Sequence, residues 1–155
     1  MNTIQDFDDK FSTLFTGMVE IAFEFVNRND DEVEAIYIFS SLEMGCFYNV
    51  FYRINGTVVN INKINAVSTE QYDLAPTRMM DLLHAGNGML AEMETLFKDH
   101  NREVPKSMKM IYEPQTGHFN NKMGYEDLYK NDPVKTAASV FDGWFDDVKS
   151  QYTPV

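Results

Sequence analysis

The sequence predicts an α+β fold: a mostly antiparallel sheet of about five strands with helices packed against it. Apolar residues recur every three or four positions near the start, middle and end of the chain, which is the spacing of one helix face. Between these stretches lie short alternating or continuous apolar runs, the spacing of strands. Asn55-Gly56 and Pro114-Gln115-Thr116-Gly117 each join two such runs, so hairpins dominate and neighbouring strands run antiparallel. The predicted order is α-β-β-β-α-β-β-α, in a single domain spanning residues 1–155.

The first helix carries Ile4, Phe7, Phe11, Leu14, Met18, Ile21 and Phe25 on one face, widened by Phe15, Ala22 and Val26. Asp6, Asp8 and Asp9 lie in its first turns, where negative charge suits the positive helix end. Asn27-Arg28-Asn29-Asp30-Asp31 ends it as a polar loop. Ala35–Phe39 is apolar on both faces and reads as an inner strand. Gly45–Ile54 follows, with Cys46, Tyr48, Val50, Tyr52 and Ile54 on one face and Phe47 and Phe51 on the other. Asn55-Gly56 turns the chain, because both residues tolerate positive φ, and Thr57–Ile61 returns. The same Asn55-Gly56-Thr57 is a glycosylation sequon, but the turn accounts for it.

A second helix runs from about Pro76 to His100, with Met79, Leu83, Gly86, Leu90, Met93 and Phe97 in phase. Gly86 and Gly88 each weaken it by about 1 kcal/mol relative to Ala, and either break it or permit close packing. The unbroken phase favours one helix. Lys106–Glu113 and His118–Tyr125 form the second hairpin, with Gly117 at the fourth position of a type I turn. The last helix starts at Asp132 as N-cap and Pro133 as first helical residue. Phe141, Phe145, Val148 and Tyr152 form its apolar stripe, with Trp144 at the edge.

The composition excludes several function classes. With 155 residues, 44% of them hydrophobic and 14% aromatic, the chain is no disordered tail. One cysteine, Cys46, leaves no internal disulfide framework. No apolar run approaches the roughly 20 residues of a membrane span, and the acidic start does not read as a secretion signal. The formal net charge is -11, with nine acids against two bases in the first 34 residues. Such a chain repels nucleic acid and anionic lipid, so neither is an expected partner. A cytoplasmic location is expected.

Catalytic and metal-binding patterns are weak. His84, His100 and His118 lack the helical i, i+4 spacing of a metal pair. Cys46, read inside a strand among aromatics, behaves as a small buried apolar residue. No nucleophile elbow or phosphate loop occurs, and Gly86-Asn87-Gly88 lacks the rest of a dinucleotide fingerprint. Asn29–Glu34 lacks the central Gly of a calcium loop and places Val33 at a ligand position, so it reads as a solvated loop. No catalysis, cofactor or metal is therefore expected.

Excess acid and abundant aromatics suit a protein partner, because a basic protein is steered toward such a surface. Trp144 beside Asp142, Asp146 and Asp147 either anchors that partner or completes the core. The expected partner surface comprises Asp30, Asp31, Glu32 and Glu34, with Glu126, Asp127, Asp142, Asp146 and Trp144 as further members. Reversing the four loop charges is expected to cost little stability. A homodimer is expected if an apolar sheet face is left uncovered.

The segment Ile111-Tyr112-Glu113-Pro114-Gln115-Thr116-Gly117-His118-Phe119-Asn120, followed by Gly124-Tyr125-Glu126-Asp127-Leu128, resembles the YezG-like family of bacterial immunity proteins, or antitoxins. The earlier order of elements agrees with that family. Asn120-Asn121-Lys122-Met123 departs from the acidic and aromatic alternation of its strand. The resemblance implies stoichiometric binding of the toxic domain of a polymorphic toxin, often a nuclease, with no chemistry of its own. A non-catalytic adaptor domain of the same fold is the alternative, and an enzyme ranks third.

Overall fold

The computed structural model describes residues 3–152. Its elements are α1 (Thr3–Phe25), β1 (Val33–Ser41), β2 (Phe47–Ile54), β3 (Thr57–Asn60), a short 3-10 helix (Ile61–Ala66), α2 (Pro76–Asp99), β4 (Ser107–Glu113), β5 (His118–Gly124) and α3 (Ala137–Tyr152). The five strands form one antiparallel sheet in the order β3-β2-β1-β4-β5. The α+β class, the sheet and the order of helices and strands are as the sequence predicts, with the 3-10 helix added. The side chain of Ile4, the first member of the predicted stripe, lies outside the described residues.

β1 is central and buried on both faces, as its continuous apolar run requires. Its inner residues Ile36 and Ile38 join Tyr48, Val50, Tyr52, Met108 and Met110 beneath α1 and α2. Its outer residues Ala35, Tyr37 and Phe39 join Phe51, Val58, Phe141 and Val148 beneath α3. The sheet thus separates a large core from a smaller one. Tyr48 and Tyr52 tie the large core to α1 with hydroxyls that donate to the Met18 and Ala22 carbonyls, each at 2.7 Å. Both phenols are buried, and a buried hydroxyl without a partner would carry a penalty of about 1–3 kcal/mol.

α2 is continuous through both glycines. Gly86 allows close packing: a Cβ there would stand 2.1 Å from Cδ1 of Tyr48. Gly88 faces open space.

Three local expectations are corrected. β2 begins at Phe47, because Gly45 adopts φ +86° and ends the alternation, so Cys46 is exposed outside the strand. In the second hairpin Glu113 O accepts from both Thr116 N and Gly117 N, and Gly117 follows the turn at φ +75°. α3 begins at Ala137, not at Pro133. Asp132 does cap, receiving the Val134 and Lys135 amides, but it closes a turn before the helix. The helix is opened by a reciprocal pair: Ser139 N donates to Thr136 Oγ1, and Thr136 N donates to Ser139 Oγ.

Candidate partner-binding surface

The nine predicted interface residues fall into three groups rather than one patch. Asp30, Asp31, Glu32 and Glu34 lie where the chain enters β1. Glu126 and Asp127 follow β5, beside the exit of β1, since Gly124 pairs with Ser107 and Ser107 with Ser41. At about 3.3 Å per residue the length of β1 separates these groups by roughly 26 Å. Asp142, Asp146 and Trp144 lie on α3, over the outer face.

Within the first group the roles divide. Asp30 and Asp31 are exposed, and their carboxylates make no hydrogen bond or ion pair among the described residues. The Asp31 carbonyl accepts from Gln115, which sets this loop beside the β4–β5 turn. Glu32 instead turns inward. It accepts from Thr69 N at 2.8 Å, Thr69 Oγ1 at 2.9 Å, Asn55 Nδ2 at 2.9 Å, Asn29 Nδ2 at 2.8 Å and Ser68 Oγ at 3.0 Å. The Thr69 amide first, then the Asn55 and Asn29 side chains, hold its carboxyl far below the usual carboxylate range. Glu34 receives the Gly56 amide and lies 3.8 Å from Arg53. The expectation of a uniformly solvated loop is therefore corrected: Glu32 and Glu34 brace the β2–β3 turn and the segment after the 3-10 helix. Apart from Asn29, three residues away, the partners of Glu32 are distant in sequence, so no local pattern reveals them.

This geometry gives Glu32 a pH signature. A carboxyl held below its unfolded value of about 4.3 stabilises the fold above that value and loses the contribution as pH falls through the folded value. Glu32→Gln is expected to lower the thermal midpoint at pH 7 and to flatten its decline on acidification. Equal acid slopes for variant and parent in a melting series from pH 7 to pH 2 would contradict this role.

Glu43, at the other end of β1, has a matching role that the sequence did not suggest. Its carboxylate accepts from Leu128 N and Tyr129 N at 2.9 Å and from Lys130 N at 2.6 Å. Partial desolvation opposes the charge, but the Tyr129, Leu128 and Lys130 amides together hold the carboxyl below its ordinary value. Ser41 Oγ and Tyr129 OH add a buried bond of 2.7 Å. The segment carrying Glu126 and Asp127 is thus fastened to the sheet. Asp127 pairs with Lys106, and its exposed neighbour Glu126 makes no such bond among the described residues.

On α3, Asp142 and Asp146 face solvent. Trp144 packs edge-on to Phe51 at 5.1 Å and to Tyr37 at 5.9 Å between ring centroids. Of its two readings, completing the core is the one its contacts support. The exposed Cys46 thiol is pushed up by partial burial and by Glu94. His84 and His118 are exposed, and His100 Nδ1 lies 3.0 Å from Leu96 O. Among the described residues no group of three or more His, Cys, Asp or Glu is placed to hold a metal ion. No helix there is long and apolar enough to cross a membrane.

One acidic feature escaped the sequence reading. α1 and α2 border an open groove of about 520 Å³, floored by Leu14 and Leu96 and rimmed by Asp9, Glu92 and Asp99, with Lys10 beside them. Asp9 comes from α1 and Glu92 and Asp99 from α2, so only the packing of the two helices brings them together. Comparison with family models and with characterised proteins finds no match for this chain.

Proposed function

We propose that this protein is a cytoplasmic immunity protein that neutralises a toxin domain by stoichiometric binding. The reading rests on the likeness of the second hairpin to the YezG-like family and on the character of the charge. The observation that carries it is the pair Asp30 and Asp31, two carboxylates left open to solvent while Glu32 and Glu34 beside them are consumed by the fold. Charges that brace nothing internally are available to a partner. A net charge of -11 adds a long-range field that draws a basic surface in, such as the phosphate-gripping face of a nuclease.

The test uses the toxin domain encoded beside this chain. A one-to-one complex that abolishes toxin activity is expected, with association slowing as salt rises. The double variant Asp30→Lys/Asp31→Lys is expected to keep its melting temperature and to associate about tenfold more slowly at low salt. A complex that leaves the toxin fully active would refute neutralisation, and an unchanged association rate would remove this loop from the contact.

A further inference from the structure

β5 is the long open edge of the sheet. The opposite edge, β3, has four residues and runs directly into the 3-10 helix, whereas β5 has seven and pairs with β4 without a register shift. No proline interrupts β5, and Lys122 is its one formally charged side chain at neutral pH.

The hydrogen-bond phase shows which of its backbone groups are open. Leu42 N donates to Lys106 O, so the Lys106 carbonyl sets the phase of β4 toward β1, while the Lys106 N–H, just before the strand, already reaches Gly124 O on β5. Direction alternates along a strand, which aims Ser107, Lys109, Ile111 and Glu113 at β5. Their partners Gly124, Lys122, Asn120 and His118 are thereby satisfied. Phe119, Asn121 and Met123 present their N–H and C=O groups to the open side.

These three residues are symmetric about Asn121. An antiparallel copy centred there sets Phe119 against the partner's Met123 and Asn121 against the partner's Asn121, forming about six backbone hydrogen bonds. Lys122 then faces the partner's Asn120, so no like charges oppose. Two further observations fit. A groove of about 330 Å³ between α1 and the β4–β5 hairpin, lined by Phe15, Val19, Phe23, Tyr112 and Phe119, lies on the side where the partner's Met123 would arrive. The Asn121 Oδ1 atom is buried without a hydrogen-bond partner, an unmet acceptor on the residue at the centre of this pairing.

We propose that two copies of this chain join through β5, extending both sheets into one across a two-fold axis at Asn121. This surface lies on the sheet edge and is independent of the toxin reading. Each copy carries a charge of -11, so salt strengthens this contact whereas it weakens the toxin encounter.

The test is light scattering and sedimentation equilibrium of the full chain across concentration and salt, combined with hydrogen exchange. The expected particle has twice the 17.9 kDa chain mass at high concentration and salt. The Phe119, Asn121 and Met123 amides should exchange about tenfold more slowly when nine-tenths of the chains are paired, while Asn120 and Lys122 keep their rates. Asn121→Pro should give a monomer that melts where the parent melts when dilute and monomeric, and Asn120→Pro should lose a bond to β4 and melt earlier. A chain that stays monomeric under every condition overturns the proposal. So does a dimer in which those three amides exchange at monomer rates, or an edge that pairs only with an added foreign strand.

Discussion

Gly86→Ala is expected to destabilise the protein by about 2–3 kcal/mol, while Gly88→Ala, two residues further along the same helix, stabilises it by about 0.5–1 kcal/mol. Both exchanges gain the helix propensity of alanine. They differ in what the new methyl group meets. At Gly86 it would stand 2.1 Å from Cδ1 and 2.2 Å from Cγ of Tyr48, so α2 or the ring must shift. The ring has nowhere to go, because it is 2% exposed and its hydroxyl is held by the Met18 carbonyl. At Gly88 nothing lies within 4 Å. Chemical denaturation of the two variants should give shifts of opposite sign. Equal shifts would mean that α2 does not rest on Tyr48.

Phe141→Ala is expected to cost about 3–4 kcal/mol, near the lower end for a buried phenylalanine because the smaller core can partly collapse. Phe141 is 4% exposed and reaches Phe51 at 5.6 Å and Phe39 at 6.4 Å between centroids. It is the chief side chain by which α3 grips the outer face. The chain has a single tryptophan, Trp144, and it sits in this same core. Its emission therefore reports the docking of α3 alone, while far-UV circular dichroism reports every element. In the variant, the emission should shift red at a lower denaturant concentration than the loss of dichroism. Coincident transitions with a small shift would show that α3 is held by other contacts.

What could be read beforehand was what is local. Asn55-Gly56 specified its hairpin because the left-handed geometry needed there is a property of those two residues: Asn55 has φ +50° and Gly56 φ +82°. The periodicity of α1 and α2 depended on spacing within each segment and survived the two glycines. The readings that failed were settled by competition or by distance. Asp132-Pro133 carries a genuine capping signal, and the aspartate does cap, but Thr136 and Ser139 form a reciprocal pair further on that starts the helix. Cys46 fitted the alternation of β2 until Gly45 adopted a conformation that strands exclude. Glu32 looked solvated because its ligands Asn55, Ser68 and Thr69 are remote in the chain. The same limit applied to the proposed contact surface. Charge excess named plausible acids, but only the folded arrangement separates Asp30 and Asp31, which are free to act outward, from Glu32 and Glu34, which are committed inward.

The position of β1 between β2 and β4 also has a consequence for biogenesis. β2 follows β1 almost at once, whereas Ile38 meets Met110 only after α2 has been synthesised. On the ribosome the first hairpin can therefore assemble early, and its most apolar strand then waits with one flank bare. Closing that flank brings together segments far apart along the chain, the kind of step that slows folding most. During this interval Tyr37-Ile38-Phe39 is the stretch most exposed to adhesion between nascent chains, so chaperone protection matters most there, before β4 has emerged from the exit tunnel.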